Sequence, residues 1–163
     1  MPFLKNAFEA AGCEAVKTYI QSGNVIFRHP ASSCKALENH IANVISKELE
    51  MNVPVMVLEQ TTLLEVEQNN PFLNERNEAV SQLHVTFLSE KPDLEKWAKM
   101  DAAKYLPDEM MYSEKVIYLY CPSGYGKTKL HNHFFESKLK VTATTRNWKT
   151  VLELVKLAGE MER

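Results

Sequence analysis

The chain has 163 residues, which is the length of one ordinary domain or of two very small ones. Apolar residues make up 45% and charged residues 25%, a globular composition that excludes a disordered tail, a collagen-like repeat and a disulfide scaffold. The three cysteines are far apart and form no C-x-x-C motif, which favours a reducing compartment. The sequence shows no signal peptide and no membrane-spanning stretch, so we expect a cytoplasmic protein with no membrane partner.

The hydrophobic spacing of the first half predicts the element order α-β-β-α-β. The predicted elements are a helix over 3–11, strands over 16–20 and 24–28, a helix from Ser32 or Ser33 to Leu49, and a strand over 53–58. Gly12 stands where a C-terminal helix cap is expected. Ser-Gly between the first two strands is typical of a hairpin turn.

The second half reads as β-α-β-β-α-β, the order of the ferredoxin-like split βαβ unit. Its predicted elements are strands over 83–87, 110–112, 116–120 and 141–144, with helices over 93–104 and 127–139 and a terminal helix over 148–160. The first half has the same order with its opening strand missing. We therefore predict an α+β fold of two ferredoxin-like subdomains with antiparallel sheets, over 1–80 and 81–163.

Several segments together resemble a known family. The longest are Thr18–Val25, Tyr118–Gly126 and Thr144–Val151, and the chain is similar to the bacterial family catalogued as domain of unknown function 1697. The resemblance implies a cytoplasmic protein of two ferredoxin-like α+β subdomains and no established activity, substrate or cofactor. Family members begin with a strand and a glycine-rich segment upstream of the first helix, whereas this chain starts at that helix, in agreement with the missing strand.

The first candidate site is the segment Gly124–Thr128, which follows a strand and is predicted to open a helix. Its Gly-Lys-Thr ending matches the end of a P-loop, but that motif needs a glycine five positions before Gly126, where Cys121 stands. Backbone N–H groups at the helix start, with Lys127 and Lys129, could instead hold a phosphate. The alternative is a glycine turn beside two solvated lysines.

The second candidate lies just before the terminal helix. Thr145 or Asn147 can cap that helix, Arg146 offers a planar fork for a phosphate or carboxylate, and Trp148 offers a stacking face. The alternative is an ion pair between Arg146 and Glu136, with Trp148 buried in the core.

The third candidate is the loop of Gln21, Ser22 and Asn24, which could present amide and hydroxyl groups to a ligand. The alternative is a turn that needs glycine at position 23. Metal binding is poorly supported, because His131 and His133 stand two apart on a predicted helix and should diverge.

Charged residues are unevenly distributed along the chain. The net charge is −2, yet Lys115–Thr150 holds seven basic residues and one acidic residue, so this segment carries +6 and the remainder −8. Basic residues interleaved with aromatic ones are a nucleic-acid or nucleotide signal, the alternative being a solvated lysine-rich face.

These patterns predict a non-catalytic binding domain for an anionic ligand, which could be a nucleotide, a phosphorylated small molecule or nucleic acid, with no metal or cofactor. The predicted ligand-binding residues are Tyr125, Gly126, Lys127, Lys129, Thr145, Arg146, Asn147, Trp148, Gln21, Ser22 and Asn24. One alternative is an enzyme acting on a small phosphorylated substrate through Lys127 and Arg146, with Cys121 or Glu136. Another is an interaction module, a homodimer in which a second copy completes the open sheet edge.

Overall fold

The structure, a computed structural model, describes residues 2–19, 24–29, 34–50 and 55–160. The chain divides into two compact units: unit 1 comprises Met1–Leu64 and Glu153–Arg163, and unit 2 comprises Glu65–Leu152. The boundary between Leu64 of unit 1 and Glu65 of unit 2 lies earlier in the chain than the boundary at residue 80 that the sequence predicts. Both units contain helices and antiparallel strands, so the α+β class with antiparallel sheets is confirmed.

Unit 1 packs a hairpin against two helices. Its elements are α1 (Pro2–Ala10), β1 (Glu14–Tyr19), β2 (Asn24–Arg28), α2 (Cys34–Leu49) and the start of α3 (Gln60–Gln68). Gly12 ends α1 with φ +91°, a conformation that costs glycine little. The core is apolar and includes Ala7, Phe8, Ala11, Cys13, Val16, Leu37, Ile41 and Ile45.

The prediction of a strand over 53–58 is wrong for the residues that the structure describes. Residues 53 and 54 lie outside the described residues, and residues 55–58 are described but belong to no strand. The Val57 N–H donates instead to Glu38 Oε1 on α2, at 2.8 Å. Because a side chain takes up this donor, it is not available to a strand ladder, and the described sheet of unit 1 contains β1 and β2.

Unit 2 has the element order β-α-β-β-α-β that the sequence predicts. After α4 (Pro71–Asn74) come β3 (Leu83–Leu88), α5 (Leu94–Ala98), β4 (Glu109–Ser113), β5 (Val116–Tyr120), α6 (Asn132–Leu139), β6 (Ala143–Asn147) and α7 (Trp148–Glu160). The four strands are antiparallel in the order β4-β5-β3-β6. α7 begins in unit 2 and continues into unit 1.

Side chains alternate between the two faces of the sheet of unit 2, and its central strands β3 and β5 are buried on both faces. One face carries the apolar cluster that α6 covers, comprising Leu88, Met100, Ile117, Leu119, Cys121, Leu130, Phe135, Leu139 and Ala143. On the other face the Tyr118 hydroxyl donates to Val66 O at 3.1 Å. Tyr120 packs on Phe72 there, with ring centroids 5.8 Å apart. None of the helices in the described ranges has the length and hydropathy needed to cross a membrane.

Two helices of unit 2 are shorter than predicted. The helix expected over 93–104 ends at Ala98, and a single 3-10 turn follows at Ala102–Tyr105. Asp101 begins that turn, because its carboxylate accepts from the Ala103 N–H at 3.2 Å. Such local side-chain bonds compete with continuation of a helix.

The helix expected over 127–139 begins only at Asn132. Residues Tyr125–Lys127 form a 3-10 turn after Gly124, which has φ +94°. Thr128 Oγ1 then accepts from the Leu130 N–H at 3.1 Å, which ties the chain locally and delays the helix. Lys127 therefore does not stand at a helix start.

Candidate anion-binding site

An open cleft of about 460 Å³ lies in unit 2, lined by residues of α6, the segment before it and the Ala102–Tyr105 turn. Its basic lining residues are Lys104, Lys129, His131, His133 and Lys138. Tyr105, Phe134 and Ser137 complete the wall, and none of these lining residues is a carboxylate. The arrangement concentrates positive charge in a concave surface, which attracts anions. We call it the cationic cleft.

The start of α6 positions the two histidines. His131 is the N-cap of the helix and has extended backbone angles, φ −101° and ψ 174°. Its Nδ1 accepts from the Phe134 N–H at 3.2 Å, so the hydrogen of the neutral ring is carried by Nε2. The expectation that the two side chains diverge is wrong, because His131 precedes the helix. The His131 and His133 rings are stacked, with centroids 6.4 Å apart and planes at 20°.

Aromatic rings fix one wall of the cationic cleft. Phe134 meets Tyr105 edge to face, with ring centroids 5.1 Å apart. It also packs on Phe135 at 5.2 Å, and Phe135 is fully buried in the core. This wall is therefore anchored to the interior of unit 2 and does not depend on exposed side chains alone.

Only part of the first predicted segment reaches the cationic cleft. Lys129 lines it, whereas Gly126 and Lys127 are exposed and do not. Tyr125 packs its ring on His84, with centroids 4.7 Å apart. Burial lowers the pKa of His84, which favours its neutral form beneath Tyr125.

The second predicted segment, Thr145–Trp148, mainly stabilises the fold through a helix cap, side-chain hydrogen bonds and a buried ring. Asn147 caps α7, with its side-chain oxygen accepting from the Thr150 N–H at 2.8 Å, as the sequence predicts. Trp148 is 1% exposed, so its ring offers no stacking surface. Thr145 donates to Asn132 Oδ1 and lies 2.7 Å from Thr86 Oγ1.

Arg146 lies on the opposite face of the sheet from Thr145, because neighbouring residues of a strand alternate. Its Nη1 donates to Thr144 Oγ1 at 2.8 Å and to Thr145 O at 2.9 Å. Desolvation lowers the pKa of its guanidinium group. The ion pair with Glu136 is not formed, because Glu136 belongs to α6, which covers the face of the sheet opposite Arg146; its Oε2 accepts from the Ala143 N–H at 3.1 Å.

The remaining predicted residues are scattered. Tyr125 packs against the face that carries His84 and Thr145, whereas Arg146 is on the other face, so the two main motifs do not form one site. Asn24 is half-buried at the start of β2, and Gln21 and Ser22 lie outside the described residues.

Cys121, the candidate nucleophile, is fully buried. Desolvation raises the pKa of its thiol to about 11, with the nearby Asp108 carboxylate adding to the shift and a hydrogen bond with Thr128 opposing it. At neutral pH this thiol is protonated and shielded from solvent, which is unlike a catalytic nucleophile.

Sequence reasoning missed the residues that complete the cationic cleft, namely Lys104, Tyr105, His131, His133, Phe134, Ser137 and Lys138. The pairs His133–Ser137 and Phe134–Lys138 are four apart on α6, a spacing that places each pair on one helix face. That spacing was a usable signal. Lys104 belongs to another element, and no local pattern connects it to α6.

The fold and its antiparallel sheets define an α+β protein with a basic cleft in unit 2. The chain belongs to the family described as protein of unknown function DUF1697, whose model matches residues 1–118. It is also similar in structure to the conserved bacterial protein SP0830 from Streptococcus pneumoniae, with a TM-score of 0.72 and 17% sequence identity. That match covers 98% of this chain and 88% of the other, and at this identity it concerns the fold. The search of curated proteins finds no match.

Proposed function

We propose that this protein binds a phosphate-bearing anion, a nucleotide or a strand of nucleic acid, in the cationic cleft and does not transform it. The observation that carries the proposal is the lining of the cleft by five basic side chains and no carboxylate. A segment that carries +6 in a chain of net charge −2 supports it. Such an uneven charge steers anions to one surface.

The groups of the cationic cleft suit a phosphate. Lysine ammonium groups donate to phosphate oxygens in charge-assisted hydrogen bonds, and the three lysines come from different positions around the cleft. His131 can add a donor through Nε2, because its Nδ1 is engaged with Phe134. Tyr105 and Phe134 supply an apolar wall that a base or sugar could contact.

The test measures binding of a labelled oligothymidylate by fluorescence anisotropy, with AMP and inorganic phosphate as competitors. We expect the double variant Lys129→Gln/Lys138→Gln to bind at least about tenfold more weakly, since each lost phosphate contact removes a charge-assisted hydrogen bond. The matched control is Lys140→Gln/Lys149→Gln, which removes two charges from the same basic segment outside the cleft. Equal loss in both variants, or no binding by the unmodified protein, contradicts the proposal.

The competitors distinguish the ligand classes. Displacement by inorganic phosphate alone indicates a site for a phosphorylated small molecule. Displacement by AMP but not by phosphate indicates a nucleotide site that uses the aromatic wall. Resistance to both indicates that several phosphates of a strand are held together.

A ferredoxin-like assignment for unit 2 is supported by the strand order β4-β5-β3-β6 with helices after its first and third strands. A cytoplasmic location is supported by the presence of Cys13, Cys34 and Cys121 as thiols. The homodimer stays a prediction; sedimentation velocity over a wide concentration range tests it, and a monomer throughout would contradict it.

A further inference from the structure

We propose that His133 makes anion binding in the cationic cleft proton-dependent, so that the ligand binds more tightly as pH falls from 8 to 5.5. The inference rests on the proposed function and concerns the regulation of the same site. It starts from a difference between two neighbouring imidazoles. One has a nitrogen fixed in the helix cap, and the other does not.

His131 has one ring nitrogen engaged in the helix cap. Its Nδ1 accepts the Phe134 N–H, and a second proton on that nitrogen would remove the cap of α6. His131 therefore offers its Nε2–H to an anion without needing to change charge.

His133 is placed differently. It lies in the first turn of α6, is exposed, and faces the cleft beside the stacked ring of His131. Neither of its ring nitrogens has a hydrogen bond among the residues that the structure describes. It can therefore accept a proton and present two donors without breaking a structural bond. Histidine in water changes charge near pH 6.5, within the range that the experiment covers.

A bound anion supplies the negative charge with which a protonated His133 would pair. Lys104, Lys129 and Lys138 line the same cleft as His133. A phosphate held by these lysines would also accept a hydrogen bond from the imidazolium ring and stabilise it. The consequence is linkage, in which binding of the anion and binding of the proton strengthen each other.

Other charged groups near the cleft do not account for a pH dependence of anion binding. Glu136 shares α6 but accepts from the Ala143 N–H, and Asp101 accepts from the Ala103 N–H. Glu95, Lys96 and Lys99 belong to α5 or its C-cap, which packs near α6, and none of them lines the cleft. Tyrosine and lysine side chains in general keep their charge state between pH 5.5 and 8.

The experiment measures the Kd of labelled oligothymidylate at pH 8 and at pH 5.5, at constant ionic strength. Its phosphodiesters keep one negative charge each across this range, whereas a terminal phosphate would titrate near pH 6. We expect binding by the unmodified protein to be up to about fivefold tighter at pH 5.5, the range of one exposed charge pair. His133→Gln should remove most of this change.

Two variants control the result. His131→Asn keeps an N-cap oxygen for the Phe134 N–H but removes the neighbouring imidazole, so it should weaken binding at both pH values and retain the pH dependence. His40→Gln changes an exposed histidine of α2 in unit 1 and should have no effect. Calorimetry in two buffers of different ionisation enthalpy should show proton uptake on binding by the unmodified protein and none by His133→Gln.

The outcomes are separable. Binding at neither pH overturns the proposed function and this inference with it. Binding that the Lys129→Gln/Lys138→Gln variant weakens, but that does not change with pH, overturns the inference alone. An equal pH dependence in His133→Gln and in the unmodified protein also overturns it. Loss of the pH dependence in His133→Gln, with the pH dependence retained in His131→Asn and in His40→Gln, supports it.

Discussion

Thr86 Oγ1 and Thr145 Oγ1 lie 2.7 Å apart across strands β3 and β6. Thr145 gives its one hydroxyl proton to Asn132 Oδ1, so Thr86 is the donor of the Thr86–Thr145 bond. The result is a chain of hydrogen bonds from β3 through β6 to the first residue of α6. It connects the helix that bears the cationic cleft to the sheet beneath it.

The Thr86–Thr145 chain predicts unequal effects of two conservative substitutions. Thr145→Val removes both hydrogen bonds and leaves the fully buried Thr86 hydroxyl without a partner, at a cost of about 1–3 kcal/mol. Thr86→Val removes only the terminal donor, at a cost of about 1 kcal/mol or less. Urea unfolding followed by circular dichroism measures both. A larger loss for Thr86→Val than for Thr145→Val would contradict the order of the bonds.

Buried thiols predict a loss of stability at alkaline pH. Burial raises the pKa of Cys13 and of Cys121 from 9.0 to about 11, and that of Tyr118 from 10.0 to about 12. In the unfolded chain these groups lose their protons earlier, so stability is fully present below pH 9 and falls as pH rises from about 9 to 11.

The urea midpoint at pH 8 and at pH 10.5 measures this fall. Cys121→Ala removes one titrating group and should lose less stability between the two pH values than the unmodified protein. Equal losses in the two proteins would show that Cys121 ionises with the same pKa in both states.

Arg76 makes a contact that we expect to stabilise unit 2 in two ways, by stacking on aromatic rings and by pairing with carboxylates. Its guanidinium lies over the rings of Phe72 and Tyr120, at 5.3 Å and 5.1 Å from the centroids. It also pairs with Glu78 and, through Nη1 to Oε1 at 2.8 Å and Nη2 to Oε2 at 2.8 Å, with Glu109. These carboxylates raise its pKa further above its usual range.

Substitution separates the two components of the Arg76 contact. Arg76→Lys keeps the charge but loses the planar fork and the stacking, so the melting temperature should fall at low and at high ionic strength. Glu109→Gln weakens only the ion pair, so its effect should shrink in about 1 M salt, where surface charges are screened. The same salt sensitivity in both variants would contradict the stacking contribution.

Phosphate binding by the cationic cleft predicts a measurable salt dependence. If Lys104, Lys129 and Lys138 each neutralise one phosphate of a single strand, the logarithm of the binding constant should fall with the logarithm of salt concentration with a slope of about −2. Lys138→Gln should reduce the magnitude of that slope by about 0.7. A slope near zero in the unmodified protein would show that the strand is not held through its phosphates.

Local patterns in the sequence predicted much of the fold. The strand over 24–28 and the terminal helix over 148–160 have the predicted bounds, and Asn147 caps the helix. The β-α-β-β-α-β order of unit 2 was also readable, since its strands alternate and its helices have apolar stripes. These features depend on residues close together in the chain.

Tertiary contacts decided the rest. The segment after residue 53 failed as a strand because Glu38, on a different element, takes the Val57 N–H. The helix over 127–139 started late because Thr128 and His131 hydrogen bond locally. For the site, the sequence identified the basic segment and Lys129, but Lys104 joins the cleft only through the packing of the chain, which no spacing reveals.

Unit 1 is assembled from both ends of the chain, since it comprises Met1–Leu64 together with Glu153–Arg163. During synthesis, the N-terminal part of this unit leaves the ribosome long before its last segment exists. All of unit 2, over Glu65–Leu152, is made in between. The unit that begins first therefore completes last: when synthesis has passed residue 152, every residue of unit 2 has been made, while unit 1 still lacks the residues from Glu153 onward.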